Sequence, residues 1–141
     1  MEIKIQPVLL QEIERHALQE YPKECCGMLF GKRERAGSLK VSDIRRTHNI
    51  TRVSLQKDFE ISPVEIYNAE QEYEKKGLEL IGIYHSHPDK KAVPSDKDKR
   101  GMLPDMAYVI LSVSESRCED IAAYEILYLK ENKSEIKEIK I

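Results

Sequence analysis

The chain has 141 residues, 40% hydrophobic and 34% charged, which suits one soluble core-forming domain and excludes a disordered or fibrous chain. Its 23 Lys and Arg nearly balance 25 Asp and Glu, for a formal net charge of −2, so bulk electrostatics argue against a nucleic-acid partner. No run reaches the roughly 20 apolar residues of a membrane helix, and Met1 to Gln6 is charged with no apolar core of a signal peptide, so neither membrane insertion nor export is expected.

In chain order, Leu10, Ile13, Ala17 and Tyr21 fall at i, i+3, i+7 and i+11, which predicts a helix over 7–20 with Pro22 just past its end. The apolar run Cys25 to Phe30, closed by Gly31, predicts a buried strand; Val41 to Ile44 predicts a second, and Phe59 and Ile61, alternating with polar neighbours, a third. A second helix is signed at both ends. Ser62 is its expected N-cap, Pro63 suits the first helical position, Glu65 completes a capping box, and Lys75, Lys76 and Gly77 mark the stop. Ile66, Ala69 and Tyr73 form its inward face. Leu78 to Tyr84 then reads as a core strand in which Gly82 marks close approach of a neighbouring backbone. A short helix opens at Ser95, Ala107 to Val113 is another buried strand, and 121–129 with 136–141 form a closing hairpin around Glu131, Asn132 and Lys133. The order α-β-β-β-α-β-α-β-β-β predicts an α+β (mixed α/β) fold, a single domain over 1–141.

Two kinds of residue carry no chemistry in this reading. The basic clusters Lys97, Lys99, Arg100 and Arg45, Arg46 read as solvated faces. Cys25, Cys26 and Cys118 are odd in number, lack C-x-x-C spacing and accompany no export signal, which predicts a reducing compartment, the cytoplasm.

The informative stretch is Tyr84-His85-Ser86-His87-Pro88, followed by Val93-Pro94-Ser95-Asp96-Lys97-Asp98. His85 and His87 lie two apart at a strand end, so period-2 geometry points both rings to one face, as two ligands of one ion require. Pro88 then ends the strand. Asp98 is the best third ligand: a helix capped by Ser95 carries Asp98 in its first turn, facing back toward the preceding loop. Asp89 and Asp96 are alternative oxygen ligands, read as solvated loop charges. Two histidines, one aspartate and an open fourth position for water make a hydrolytic zinc arrangement. It still needs a proton acceptor and an oxyanion donor. Many carboxylates could serve as acceptor; Glu24 stands out as a charge directly before an apolar strand.

His-x-His, seven residues, then Ser-x-x-Asp resembles the signature of the JAMM (MPN+) zinc metallopeptidases. Tyr21-Pro-Lys-Glu24-Cys-Cys26-Gly27-Met-Leu-Phe-Gly31 is similar to the family's upstream glutamate motif, and Phe59-Glu-Ile-Ser-Pro63 also resembles family members. The likeness runs from the first helix to about Val113. It implies a curved central sheet flanked by helices, with a layout like that of cytidine deaminases. It implies one Zn2+ held by His85, His87 and Asp98, with Glu24 as general base and Ser95 as the hydrogen-bond donor to the tetrahedral intermediate. The implied substrate is an amide or isopeptide bond after the C-terminal tail of a ubiquitin-like protein. The compact length resembles minimal prokaryotic members, some of which act on sulfur-carrier proteins.

Competing readings are weaker. A non-catalytic MPN-type scaffold that binds a ubiquitin-like partner would not need all five positions filled. A zinc deaminase expects H-x-E and P-C-x-x-C, and neither occurs. A nucleophilic Cys26 with His85 as base leaves the Ser95 and Asp98 spacing unexplained, so Cys26 reads as a small buried hydrophobe. His16 and His48 read as structural. An extended substrate tail could add as a strand to a sheet edge near the site.

Overall fold

Apolar runs that are continuous rather than alternating require strands covered on both faces, and this requirement organises the chain. The computed structural model describes all of residues 1–141. Its elements are β1 (Ile3–Lys4), α1 (Pro7–Glu20), β2 (Cys26–Arg33), β3 (Leu39–Thr47), α2 (Pro63–Glu74), β4 (Glu79–Pro88), α3 (Asp96–Gly101), β5 (Ala107–Val113), β6 (Cys118–Tyr128) and β7 (Ser134–Ile139), with a 3-10 turn at Arg35–Gly37. The strands form one mixed sheet in the order β1-β3-β2-β4-β5-β6-β7. This is the expected mixed α/β class.

Two apolar cores lie on the two faces. One joins Ile13 and Ala17 of α1 to Leu29, Tyr84, Val109 and Leu111. The other joins Ala69 and Tyr73 of α2 to Met28, Phe30, Ile83, Ile110 and Tyr124. β2 and β5 feed both, which is why each reads as an unbroken apolar run. In β4 the alternation is interrupted: Leu29 pairs with Gly82 and Phe30 with Leu80, leaving Ile81 as a bulge. Ile81 therefore joins the α1-side core, whereas Ile83 belongs to the α2-side core. Gly82 sits where a Cβ would lie 2.6 Å from the Ala107 carbonyl oxygen, the close approach its sequence context predicts.

Differences from the sequence reading have local causes. No strand forms at Phe59 and Ile61. There the Asn49 side chain stands in for a ladder: its Oδ1 accepts from Thr51 N and Glu60 N, and its Nδ2 donates to the carbonyls of Glu24 and Asp58. α2 starts after Ser62 with Pro63 in its first turn, but the Ser62 side chain makes no capping bond; Glu65 lies 3.9 Å from His48 Nδ1 instead. The predicted stop at Gly77 holds, at φ +72°. β1 is two residues long, too short to show any period, and pairs parallel with β3. No helix is long and apolar enough to cross a membrane.

Candidate metal centre and active site

β4 is the middle strand of seven and runs parallel to β5, with His85 opposite Ile110 and His87 opposite Ser112. Central pairing fixes its backbone, so the odd-numbered side chains Ile83, His85 and His87 leave the sheet on the α2 side. Both histidines are buried, and their Nε2 atoms lie 3.1 Å apart. Asp98 reaches them from the third residue of α3, its Oδ2 lying 3.2 Å from His85 Nε2 and 3.1 Å from His87 Nε2. A reciprocal capping box fixes it there. Ser95 Oγ accepts from Asp98 N at 3.1 Å, and Ser95 N donates to Asp98 Oδ2 at 2.9 Å. The pair expected as cap and candidate ligand is thus formed, and Asp98 meets both rings with the same oxygen that takes the Ser95 amide.

The three atoms suit a small cation. His87 Nδ1 faces the Lys91 carbonyl at 2.9 Å, and a carbonyl only accepts, so Nδ1 carries the proton and a neutral His87 turns a bare Nε2 to the cluster. His85 Nδ1 is buried without a hydrogen-bond partner, so that ring is oriented from its Nε2 side and by Phe59, stacked at 4.3 Å. In a tetrahedral site with bonds of about 2.0–2.1 Å, neighbouring ligand atoms stand roughly 3.3 Å apart; the spacings here are 3.1 to 3.2 Å. Burial opposes ionisation of Asp98, but the two rings and the Ser95 amide outweigh it and hold the carboxyl well below the usual carboxylate range.

Glu24 enters from the other side. It precedes β2, is 3% exposed, and its carboxylate lies within 4.8 Å of the ligand atoms of both histidines. Its backbone is tied down, with N donating to Leu55 O at 2.7 Å and O accepting from Asn49 Nδ2 at 3.2 Å. The next residue is bolted to β4, because Cys25 N donates to Ser86 Oγ at 2.8 Å. Burial raises the Glu24 pKa to about 7, against the opposing pull of His87 and of Lys90, whose Nζ is 3.6 Å from Oε2. A carboxyl near neutrality beside a histidine pair is suited to accepting and returning a proton. It is also near enough to be a metal donor, though Asp98 lies closer to both rings.

The remaining candidates fall away from the centre. Tyr21 OH donates to Asp89 Oδ2 at 2.7 Å, and Asp96 is exposed at the start of α3. Burial raises the Cys26 thiol to about 11, which leaves it protonated and a poor nucleophile. All three cysteines are free. His16 sits on the opposite sheet face, its Nδ1 2.7 Å from Tyr84 OH, and the His48 side chain is exposed. Lys90, Asn49 and the stacking of Phe59 were not legible as site residues; Lys90 lies inside the seven-residue spacer, where spacing alone gives it no role. A cleft of about 480 Å3 opens beside His85 and Asp98, walled by Phe59, Ile66, Leu103 and Met106. β1 covers only Leu39 and Lys40 of β3 and is itself bridged through Glu2 to Lys140, just past β7, while the cleft opens directly beside the centre.

Known proteins resemble this chain in sequence and fold. A 43% identical segment of 79 residues aligns with a desampylase of Pyrococcus furiosus, covering 56% of this chain and 51% of that one. A probable TtuB-protein conjugate cleaving protease of Thermus thermophilus is 34% identical over 102 residues, 72% of this chain and 64% of that one. The match thus spans between half and two thirds of the length of these curated relatives. A protein from Desulfitobacterium hafniense solved in solution superposes with a TM-score of 0.78 at 28% identity, over 99% of this chain and 90% of that one. The family described as prokaryotic homologs of the JAB domain matches residues 6–126, which takes in α1, the strands from β2 through most of β6 and every residue of the cluster. The chain belongs to that family.

Proposed function

We propose that this protein is a zinc-dependent peptidase or isopeptidase that hydrolyses the amide bond following the C-terminal tail of a ubiquitin-like or sulfur-carrier protein. The observation that carries the reading is the meeting of His85 Nε2, His87 Nε2 and Asp98 Oδ2 within 3.2 Å, with the buried Glu24 carboxylate alongside. The names of the Pyrococcus and Thermus relatives support the substrate class.

His85, His87 and Asp98 would hold the zinc. When bound, zinc supplies Lewis-acid chemistry, making water acidic enough to ionise near neutral pH and drawing charge from a carbonyl. Glu24 takes the proton from the attacking water at its carboxylate and returns it to the departing amine nitrogen. Its raised pKa suits both steps, because the acid form survives close to neutrality. Ser95 Oγ already accepts from Asp98 N, which leaves its hydroxyl hydrogen to be donated to the carbonyl oxygen as charge develops there. The apolar cleft receives the uncharged part of the substrate and keeps bulk water from it.

The test is incubation of the zinc-loaded protein with ubiquitin-type and sulfur-carrier C-terminal fusions, with products read by mass spectrometry. Cleavage after the tail in either class is the expected result. Glu24→Gln should keep one zinc per chain and lose about 10²–10⁴ in kcat. Ser95→Ala should keep zinc and raise the barrier by about 2.7–4 kcal/mol. Fully active Glu24→Gln protein with its metal retained would remove the general-base assignment. Intact fusions with stoichiometric zinc would favour the non-catalytic scaffold.

A further inference from the structure

The loop between β4 and α3 has no regular structure, yet three successive carbonyls in it are each held by a side chain from a different strand. Lys90 O accepts from Ser112 Oγ of β5. Lys91 O accepts from His87 Nδ1 of β4 at 2.9 Å. Ala92 O accepts from Tyr124 OH of β6 at 2.6 Å. Just before them, Asp89 N donates to Val113 O at 2.8 Å. The Tyr124 bond to Ala92 is buried and the bonds to Lys90 and Lys91 are partly so, so water substitutes least readily for the Tyr124 bond, which costs more to break than an exposed one.

Only the middle carbonyl touches a residue of the candidate metal centre, and it decides which ring nitrogen of His87 carries the proton. With Lys91 O in place, a neutral His87 ring keeps its proton on Nδ1, where that carbonyl accepts it, and leaves Nε2 bare. With Lys91 O displaced, the proton is free to move to Nε2, where Asp98 Oδ2 at 3.1 Å would accept it and block coordination. Ser112 and Tyr124 grip the residues on either side of Lys91, so the peptide between them has little freedom to turn away. We infer that Ser112 and Tyr124 are positioning residues for His87: through the Lys91 carbonyl they fix the tautomer that presents Nε2 to a metal. The inference about metal affinity rests on the zinc reading above; the inference about the tautomer does not.

The test uses the full chain with Tyr124→Phe, Ser112→Ala and, as a control, Tyr73→Phe. Tyr73 OH donates to Asp43 Oδ2 at 2.6 Å, another largely buried tyrosine bond, remote from the loop. Long-range nitrogen–proton NMR of the metal-free protein, under mildly alkaline conditions, reads the His87 tautomer directly. Competition with a chelator reads zinc affinity, and the visible spectrum of the cobalt-substituted protein reads ligand geometry. The expected result is a His87 population shifted toward Nε2–H in Tyr124→Phe and Ser112→Ala, with zinc affinity weakened on the order of tenfold, the low end of what outer partners of metal-binding histidines contribute. Tyr73→Phe should lower folding stability by a similar amount and leave the tautomer and affinity unchanged. An unchanged tautomer in both loop variants overturns the inference, as does an equal loss of affinity in Tyr73→Phe. If the unsubstituted protein binds no zinc, the proposed function fails, and the His87 tautomer still decides this inference.

Discussion

Glu24 is a carboxyl held almost out of water, and its surroundings only partly compensate. Burial lifts its pKa from 4.5 to about 7, with His87 and Lys90 pulling the other way. Between those values the folded chain keeps a proton that the unfolded chain has released. Its contribution to stability is therefore full below about pH 4.5 and declines as pH rises through 7. At about 1.36 kcal/mol per unit, the decline amounts to about 3 kcal/mol. In the metal-free protein, Glu24→Gln should abolish this component, so urea unfolding of the two proteins should diverge steadily across that window; parallel curves would contradict it. His16 acts in the opposite sense. Burial, then Arg46, lowers its pKa to about 4, so its share of stability is present above 6.5 and lost as pH falls through 4. At this scale the sequence was informative wherever chemistry follows from local spacing. His85 and His87 share a face because they are two apart on a strand, and Ser95 and Asp98 cap because they are three apart. Lys90 and Asn49 were silent, and so was the stacking of Phe59 on His85, because what they touch comes from distant segments.

Elements turn those residues into a site. β4 sits between β2 and β5, and its close fit to β5 depends on Gly82, where an added Cβ would meet the Ala107 oxygen at 2.6 Å and Leu29 Cδ1 at 3.0 Å. One of those neighbours is backbone and cannot rotate aside. Gly82→Ala should therefore destabilise the fold by about 1–3 kcal/mol, measured by denaturant unfolding, as other overpacked positions do. A neutral effect would mean that the two strands part easily. Boundaries of elements were legible where a residue of special geometry marks them. Pro22 lies just past the end of α1 and Gly77 follows α2. They were not legible where side chains compete with the ladder. Phe59 and Ile61 alternate as a strand would, but Asn49 takes the hydrogen bonds that a neighbouring strand would have made. The box anticipated at Ser62 did not form, while the similar pattern at Ser95 did.

Across the whole molecule, the site is a junction of units far apart in sequence: the segment before β2, the end of β4 and the first turn of α3. A cation held by His85, His87 and Asp98 would tie α3 to the sheet. Zinc should then stabilise the fold by about 2.7 kcal/mol at a hundredfold excess over its Kd, a shift of several degrees in Tm. A chelator should reverse the shift and Asp98→Asn should greatly reduce it, as read by thermal unfolding. An equal shift in Asp98→Asn would remove Asp98 from the ligand set. The sheet carries this junction because its middle strand is covered on both faces, leaving His85 and His87 no freedom to move with a loop.

What the sequence determined by itself was the inventory: which residues could bind a cation, accept a proton or cap a helix, and the α/β class that presents them. Those properties depend on neighbours within one turn or one strand, so they survive being read in one dimension. Only the tertiary structure decided that Glu24 is buried enough to hold a proton near neutrality, that Lys90 offsets it, and that β5 and β6 pin the loop against His87. Burial and electrostatics sum over everything nearby in space, and most of what is near Glu24 and His87 is remote along the chain.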